Sequence, residues 1–444
     1  MKVGIDAISF YIPQLYLSIE SLAKNRNIKP EKLINGLGLQ AMSLPDVNED
    51  VVSFAANAVY TLLKNEKLNS SEISRIYVGT ESGVDASKPI ASYIISLLEQ
   101  KMEQSFSHCD ALDITFACIG AVDALQNTLD YIRLNPNKKA IVVATDFAKY
   151  ELNSTGEYTQ GAGALAMLVT SSPSIISFSE NAGISTQGVF DFFKPRRYFD
   201  KKDLIFESNS KVLNNISEEQ VSIYKEQPIF DGQYSNSCYI NRTLEAYLHY
   251  KKLVNKRETL FTDWQYIVMH LPYCFQARRT FIEIYIHEKG YNIKSSDDKK
   301  LIAKSEEYLK IIEEKIAPSE KASSLIGNLY TGSIFMAMLS ALCNSYKEKI
   351  DISQNKIGFI AYGSGSKSKV FEGIIENNWH NKIAQIPLFE TLLNRKEIDF
   401  STYEKLHKKQ LKHSISTNSN KFELDKIEKE NPLLIGARYY KFID

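Results

Sequence analysis

The 444-residue sequence predicts an α/β fold, a doubly wound layered one. Three observations predict it. Short apolar runs alternate with segments whose apolar residues recur at helical spacing. The alternation passes through the chain twice, once in each half. Several apolar runs end directly on a reactive side chain, and in open α/β sheets ligand sites form at the carboxyl ends of strands. A chain of this length exceeds one small core and fits two fused halves of roughly 200 residues each. We place them at 1–172 and 173–444.

In the first half, residues 3–10 read as a strand. Residues 50–64 carry Val51, Val52, Phe54, Ala55, Ala58, Val59 and Leu62, a helical pattern. Residues 76–78 form a strand and 90–98 a helix. Ala111, Leu112 and Ile114 mark the next strand, followed by a helix to about residue 134. Residues 140–144 are wholly apolar, as in a strand buried on both faces, and 163–169 look alike.

Residues 172–260 form a transition, with a polar stretch at 201–226 expected to be loop and helix. A helical segment begins at 245–253. Residues 266–269 form a strand, 280–287 a helix, and 299–316 a mostly solvated helix rich in Lys and Glu. Residues 327–342 are small and apolar, as in a buried helix behind Asn328. Residues 357–362 form a strand that delivers Gly363-Ser364-Gly365-Ser366. This loop lacks the Gly-Lys-Ser/Thr of a P-loop, so phosphate cradling is weakly signalled. Lys367 and Lys369 beside it are either a basic accessory or solvated. The tail from about residue 399 differs: 407–414 is basic, 416–420 polar, and 433–442 apolar and aromatic, suited to a closing strand.

Cys118 is the most informative residue. It falls at a strand-to-helix junction, where exposed N–H groups and the helix dipole favour a thiolate and hence a nucleophile. A buried structural cysteine is the competing reading. Glu81 follows the strand-like Ile76-Tyr77-Val78-Gly79-Thr80, and His270 follows Tyr266-Ile267-Val268-Met269. Alone, each has a structural explanation, as cap, ion-pair partner or core histidine. Together they are a chemically complete set: a nucleophile, a general acid/base and a donor able to polarise a carbonyl.

The residues around them occur as separated motifs in a fixed order: Gly79-Thr80-Glu81-Ser82-Gly83, Phe116-Ala117-Cys118, Thr159-Gln160-Gly161-Ala162-Gly163-Ala164 and Asp191-Phe192-Phe193-Lys194-Pro195, then Asp231-Gly232-Gln233-Tyr234-Ser235, Cys238-Tyr239, His270-Leu271-Pro272-Tyr273 and Gly327-Asn328-Leu329-Tyr330-Thr331-Gly332-Ser333. In these the chain resembles the 3-hydroxy-3-methylglutaryl-CoA synthase family of the mevalonate pathway, from Gly4 to Ser366. The resemblance implies a thiolase-like fold, two similar α/β halves in five αβαβα layers, usually as a homodimer. It implies condensation of acetyl-CoA with acetoacetyl-CoA, with no metal and no cofactor beyond the CoA thioesters themselves. Cys118 would carry the acetyl group. Glu81 would deprotonate its methyl and help protonate the new alcohol. His270 would bind the ketone or thioester oxygen. Asn328 and Ser364 match positions that contact the second substrate, Tyr150 a site tyrosine near the acetyl-cysteine, and Asp146 and Asp191 supporting acids.

Three departures concern the grip on CoA. Ile119 stands where many relatives have Tyr, Gly120-Ala121-Val122 differs from the usual small-residue run, and Phe275 replaces a lysine. Arg278 and Arg279 lie one turn further on, with chemistry suited to the CoA phosphates. Ile119 and Phe275 keep open a relative acting on acyl-carrier-protein substrates. An inactive acyl-binding scaffold is the alternative of another class.

Composition limits partners. Lys plus Arg and Asp plus Glu number 53 each, against a broad nucleic-acid or membrane surface. No apolar run reaches the ~18–20 residues of a membrane span. The start of the sequence shows neither a signal-peptide nor a presequence pattern. The five cysteines are odd in number and lack zinc or CxxC spacing, which suits free thiols in a reducing cytoplasm.

Overall fold

The structure is a computed structural model and describes residues 1–200, 219–417 and 419–444. In the first half the chain runs β1 (Gly4–Tyr11), α1 (Val51–Glu66), β2 (Ile73–Gly79), α2 (Ile90–Met102), β3 (Asp110–Ile114), α3 (Gly120–Leu134), β4 (Lys139–Ala148) and β5 (Gly161–Thr170). The second half contains β6 (Ile176–Phe178), β7 (Gly183–Thr186), α4 (Gly232–Leu253), β8 (Trp264–Met269), α5 (Gln276–Lys289), α6 (Ala317–Ile326), α7 (Ser333–Lys347), β9 (Lys356–Gly363) and β10 (Lys367–Ile375).

Ten of these strands join edge to edge in the order β8-β9-β10-β6-β1-β5-β4-β2-β3, with β7 also beside β10. The pairing plan repeats. In the first half β2 and β4 are parallel, and β4–β5 and β5–β1 are antiparallel. In the second, β8 and β9 are parallel, and β9–β10 and β10–β7 are antiparallel.

Strand alternation assigns the layers. Ile141, Val143, Ala164, Ala166 and Leu168 face a core shared with α1 and α2, whereas Val142, Ala144, Leu165 and Met167 face the core that holds α3, α7 and the second-half strands. The long α4 packs against β7, β10 and α5. The result is α1/α2, sheet, α3/α7, sheet, α4/α5, a five-layer thiolase-like fold.

Differences from the sequence reading are local. Within the polar stretch, residues 201–218 lie outside the described residues, but Gln220–Tyr224 is a strand, paired with Arg196–Asp200. Helix α4 starts at Gly232, capped by Asp231, well before residue 245. Residues 327–329 are a turn rather than helix, because Gly327 at φ +89° ends α6 and the backbone of Asn328 bonds to Thr159; a 3-10 turn at Tyr330–Gly332 then leads into α7. Residues 299–316 divide into separate short helices and a wide turn. Lys367 and Lys369 are neither accessory nor solvated: both pair with Asp123 on α3. In the tail, the Phe400–His407 helix ends where the basic run begins, and the closing strand is Arg438–Ile443, paired with Lys421–Ile427. Among the described residues no helix is long and apolar enough to cross a membrane. All five cysteines are free thiols.

Candidate active site

Register places the site. Gly79 at the end of β2 pairs with Ile114 of β3 and with Ala144 of β4, so the loops that follow leave the sheet side by side. Gly79 is required there: a Cβ would lie 2.2 Å from the Ala121 backbone nitrogen, where α3 begins. Ala117 turns the chain at φ +40° and brings Cys118 round toward the first loop. Cys118 Sγ then lies 3.9 Å from Glu81 Oε1. In the second half Met269 pairs with Ile360, so His270 and Ser364 also leave from the carboxyl ends of parallel strands.

The two halves meet at a cavity of about 290 Å³. Cys118, Tyr150, His270, Asn328 and Ser364 line it, together with Tyr239, Tyr330 and Tyr362. Arg279, Tyr273 and Leu37 line it as well. Glu81 is not on the wall; it approaches the Cys118 sulfur with its side chain 6% exposed.

Asp146 and Asp191 are buried buttresses. Asp146 Oδ1 accepts from the Glu81 N–H at 2.9 Å and from the Thr80 and Ser82 hydroxyls at 3.0 and 2.8 Å, and Oδ2 from the Thr331 N–H at 3.0 Å. It therefore ties the Glu81 loop to the Asn328–Ser333 turn. Asp191 accepts from the Tyr362 hydroxyl and the Gly365 N–H, both at 2.6 Å. Tyr362 stacks on Tyr239 at 4.4 Å, and the Tyr239 hydroxyl donates to the His270 carbonyl at 2.6 Å.

Arg278 is not brought to the cavity. Its guanidinium forks onto Glu320, with Nε 2.8 Å from Oε1, and stacks over Phe275. Arg279 does line the wall, held by the Tyr273 hydroxyl and the Gly36 carbonyl. Ile119 is wholly buried in the core, and neither it nor Phe275 is on the cavity wall. The two departures that kept carrier-bound substrates open therefore do not shape the cavity.

Electrostatics correct one expectation. The Cys118 thiol is not acidified by α3. Burial raises its pKa well above the usual value, and the Glu81 and Asp146 carboxylates add to the rise. Desolvation and two neighbouring acids outweigh a helix terminus, whose effect fades within one turn. Burial also lifts Glu81 to about 7, with Lys194 opposing. His270 is pushed down to about 3 by burial and is neutral. Its Nδ1 lies 2.5 Å from Ser333 Oγ, whose oxygen accepts from the Leu271 N–H. The Ser333 contact engages Nδ1 and leaves Nε2 as the ring nitrogen for substrate; Nε2 carries the ring proton when the Ser333 hydroxyl donates.

Ser333, Tyr239, Tyr362 and Lys194 are the residues to which the sequence reading gave no role. The first two lie inside motifs already singled out, as does Lys194. Tyr362 ends an apolar strand and opens the Tyr362-Gly363-Ser364-Gly365-Ser366 stretch at which the resemblance stops.

These contacts set a buried thiol and a neutral imidazole on one cavity wall, with a carboxylic acid poised near neutrality beside the thiol. Sequence comparison gives the same assignment. The family model described as "Hydroxymethylglutaryl-coenzyme A synthase N terminal" matches residues 1–174, and the corresponding C-terminal model matches 220–311 and 287–444. The chain belongs to the hydroxymethylglutaryl-CoA synthase family. It is 32% identical to the hydroxymethylglutaryl-CoA synthase of Enterococcus faecalis, over 95% of this chain and 98% of that one. The enzyme of Haloferax volcanii is 30% identical, with 91% of each chain covered. A solved structure described as "MvaS in complex with 3-hydroxy-3-methylglutaryl coenzyme A" superposes with a TM-score of 0.83 at 26% identity, over 100% of this chain and 99% of that one. The family's activity is the condensation of acetyl-CoA, acetoacetyl-CoA and water to 3-hydroxy-3-methylglutaryl-CoA and CoA, a step of the mevalonate pathway.

Proposed function

We propose that this chain performs the condensation on free CoA thioesters through an acetyl group carried on Cys118, with Glu81 as acid/base and His270 as oxygen donor. The observation that supports it best is the 3.9 Å approach of Glu81 to the Cys118 sulfur, beside the cavity that His270 also lines.

Acetyl transfer exchanges one thioester for another and returns the thiol proton to the departing CoA sulfur. The Glu81 carboxylate then removes a proton from the acetyl methyl, which lies within reach once the acetyl group is on Sγ. The resulting enolate carbon attacks the ketone carbon of acetoacetyl-CoA. His270 Nε2–H stabilises the ketone oxygen as charge develops, a contribution commonly worth about 2.7–4 kcal/mol in rate. Protonated Glu81 supplies the proton that completes the tertiary alcohol. Water then cleaves the Cys118 thioester, freeing the new carboxylate and restoring the thiol. A carboxyl with a pKa of about 7 has both forms available for these steps.

Asn328 Oδ1 accepts from the Tyr330 N–H at 2.8 Å, leaving its NH2 for substrate oxygen. Ser364 and Arg279 would contact the acetoacetyl-CoA arm and its phosphates, and Tyr150 would pack beside the acetyl group. The chemistry calls for no metal or cofactor. We place the division of the halves near residue 172 and the enzyme in the cytoplasm as a homodimer; among the described residues β3 ends the sheet with one edge unpaired.

The test is intact-protein mass after acetyl-CoA alone, followed by product analysis with both substrates. We expect an acetyl adduct lost in Cys118→Ala, and 3-hydroxy-3-methylglutaryl-CoA when both substrates are present. Glu81→Ala should keep the adduct and lose condensation, because removing that carboxylate lowers the thiol pKa while removing the base. Loss of acetylation in Glu81→Ala would refute the division of roles.

A further inference from the structure

Lys194 lies in a motif the mechanism leaves unused. It follows Phe192–Phe193, a short strand paired with Ile229–Phe230, and reaches from the second half of the chain into the Glu81 loop of the first. Its side chain is 10% exposed. The ammonium donates to the Glu81 carbonyl at 3.2 Å, lies 3.8 Å from Glu81 Oε1, and sits 4.5 Å from the centre of the Tyr330 ring. One cation is thus anchored on the backbone of the acid/base, not locked onto its carboxylate.

We propose that Lys194 is the positioning residue that sets the protonation of Glu81 during condensation. The proposal rests on the reading of Glu81 as the base. A carboxyl that must accept a proton and then return it cannot sit in a tight, permanent ion pair, which would hold it ionised. Left in an apolar pocket without a cation, it would stay protonated and could not act as a base. An ammonium just beyond hydrogen-bond distance, tied to the neighbouring carbonyl, meets both demands.

The groups facing Glu81 are Asp146 from β4, Cys118 from the loop before α3, Lys194, Tyr150, Tyr330 and Tyr224. Asp146 raises the Glu81 pKa and Lys194 lowers it. In the acetyl-enzyme Cys118 is a thioester and does not titrate. The acid limb of kcat/KM for acetoacetyl-CoA then reports Glu81, and activity is lost as pH falls through its pKa.

The experiment measures that limb in the full-length enzyme, in Lys194→Met and in Lys194→Arg. Removing the cation should move the limb to higher pH by about one unit or more, since an opposite charge at about 4–6 Å commonly shifts a carboxyl by about 1–3 units. Lys194→Arg should return the limb toward its original position. Lys194→Gln keeps a donor for the Glu81 carbonyl without the charge and serves as the second variant if Lys194→Met does not fold. It should shift the limb likewise. A limb that stays in place or moves to lower pH in a folded variant overturns the proposal. Glu81→Gln separates the two layers. If it still condenses, the reading of Glu81 fails. If it is dead while the Lys194 variants keep the limb, the role of Lys194 alone fails.

Discussion

His270 shows how one buried side chain is made useful by another. Neutral imidazole has one donor and one acceptor nitrogen, and which faces the cavity is a matter of tautomer. Ser333 occupies Nδ1, and in the proposed mechanism its hydroxyl donates there, so that Nε2–H serves the substrate oxygen. Because burial holds the pKa near 3, this arrangement persists across the working pH range. Ser333→Ala frees the choice of tautomer and removes a bond to the Leu271 N–H. We expect condensation to fall by about 10-fold or more, in line with about 1–3 kcal/mol for an unsatisfied buried partner, with acetylation of Cys118 unchanged. Equal loss of both half-reactions would show that Ser333 supports the fold and not the donor. The sequence exposed His270 through the apolar strand before it, because strand ends are readable from pattern. It could not expose Ser333 as its partner, since a contact across 63 positions leaves no trace in local spacing.

At the scale of an element, the loop before α3 explains both a success and a failure of sequence reasoning. The strand, the cysteine and the small-residue helix were legible because β3 and α3 have distinct periodicities. The thiol's acidity was not, because it depends on what surrounds the helix terminus, and Glu81 comes from a different loop. The turn itself is strained. Ala117 adopts a left-handed φ of +40°, which costs an L-residue roughly 1–2 kcal/mol. A small side chain tolerates this conformation and a β-branched one does not. Ala117→Val should therefore lower the urea midpoint and swing Cys118 away from Glu81. The rate of acetyl-adduct formation would drop far more than the loss of stability predicts at concentrations where the protein is fully folded. A variant that acetylates normally would show that the turn does not aim the sulfur.

Across the whole molecule, the tail lies far from the motifs in sequence but close to the cavity wall in space. The Lys421–Ile427 strand exchanges bonds with the Asn57 side chain through the Phe422 backbone, at 2.9 and 2.7 Å, and the Phe422 and Phe442 rings pack on Tyr60 of α1. The preceding helix, Phe400–His407, grips Tyr150 from two sides. His407 Nε2 bonds the Tyr150 carbonyl at 2.8 Å. The Tyr403 hydroxyl donates to Glu157 at 2.9 Å and accepts from Gln160 Nε2 at 2.8 Å, while Gln160 Oε1 receives the Tyr150 N–H. Glu157 in turn is forked by Arg26, with Oε1 2.7 Å from the guanidinium. The tail's pattern shows only a basic run, a polar stretch and an apolar end, because nothing local reveals that its polar side chains bond residues some 250 positions earlier. Tyr403→Phe keeps the ring and deletes only the hydroxyl, so Glu157 and Gln160 each lose a partner in a buried setting. That should cost about 1–3 kcal/mol, read as a lower urea midpoint. Acetylation should also slow, because the Tyr150 backbone loses part of its support. An unchanged midpoint with slower acetylation would make the hydroxyl a purely local prop for Tyr150; a lower midpoint with normal acetylation would make the tail a clamp on the fold that stops short of the site.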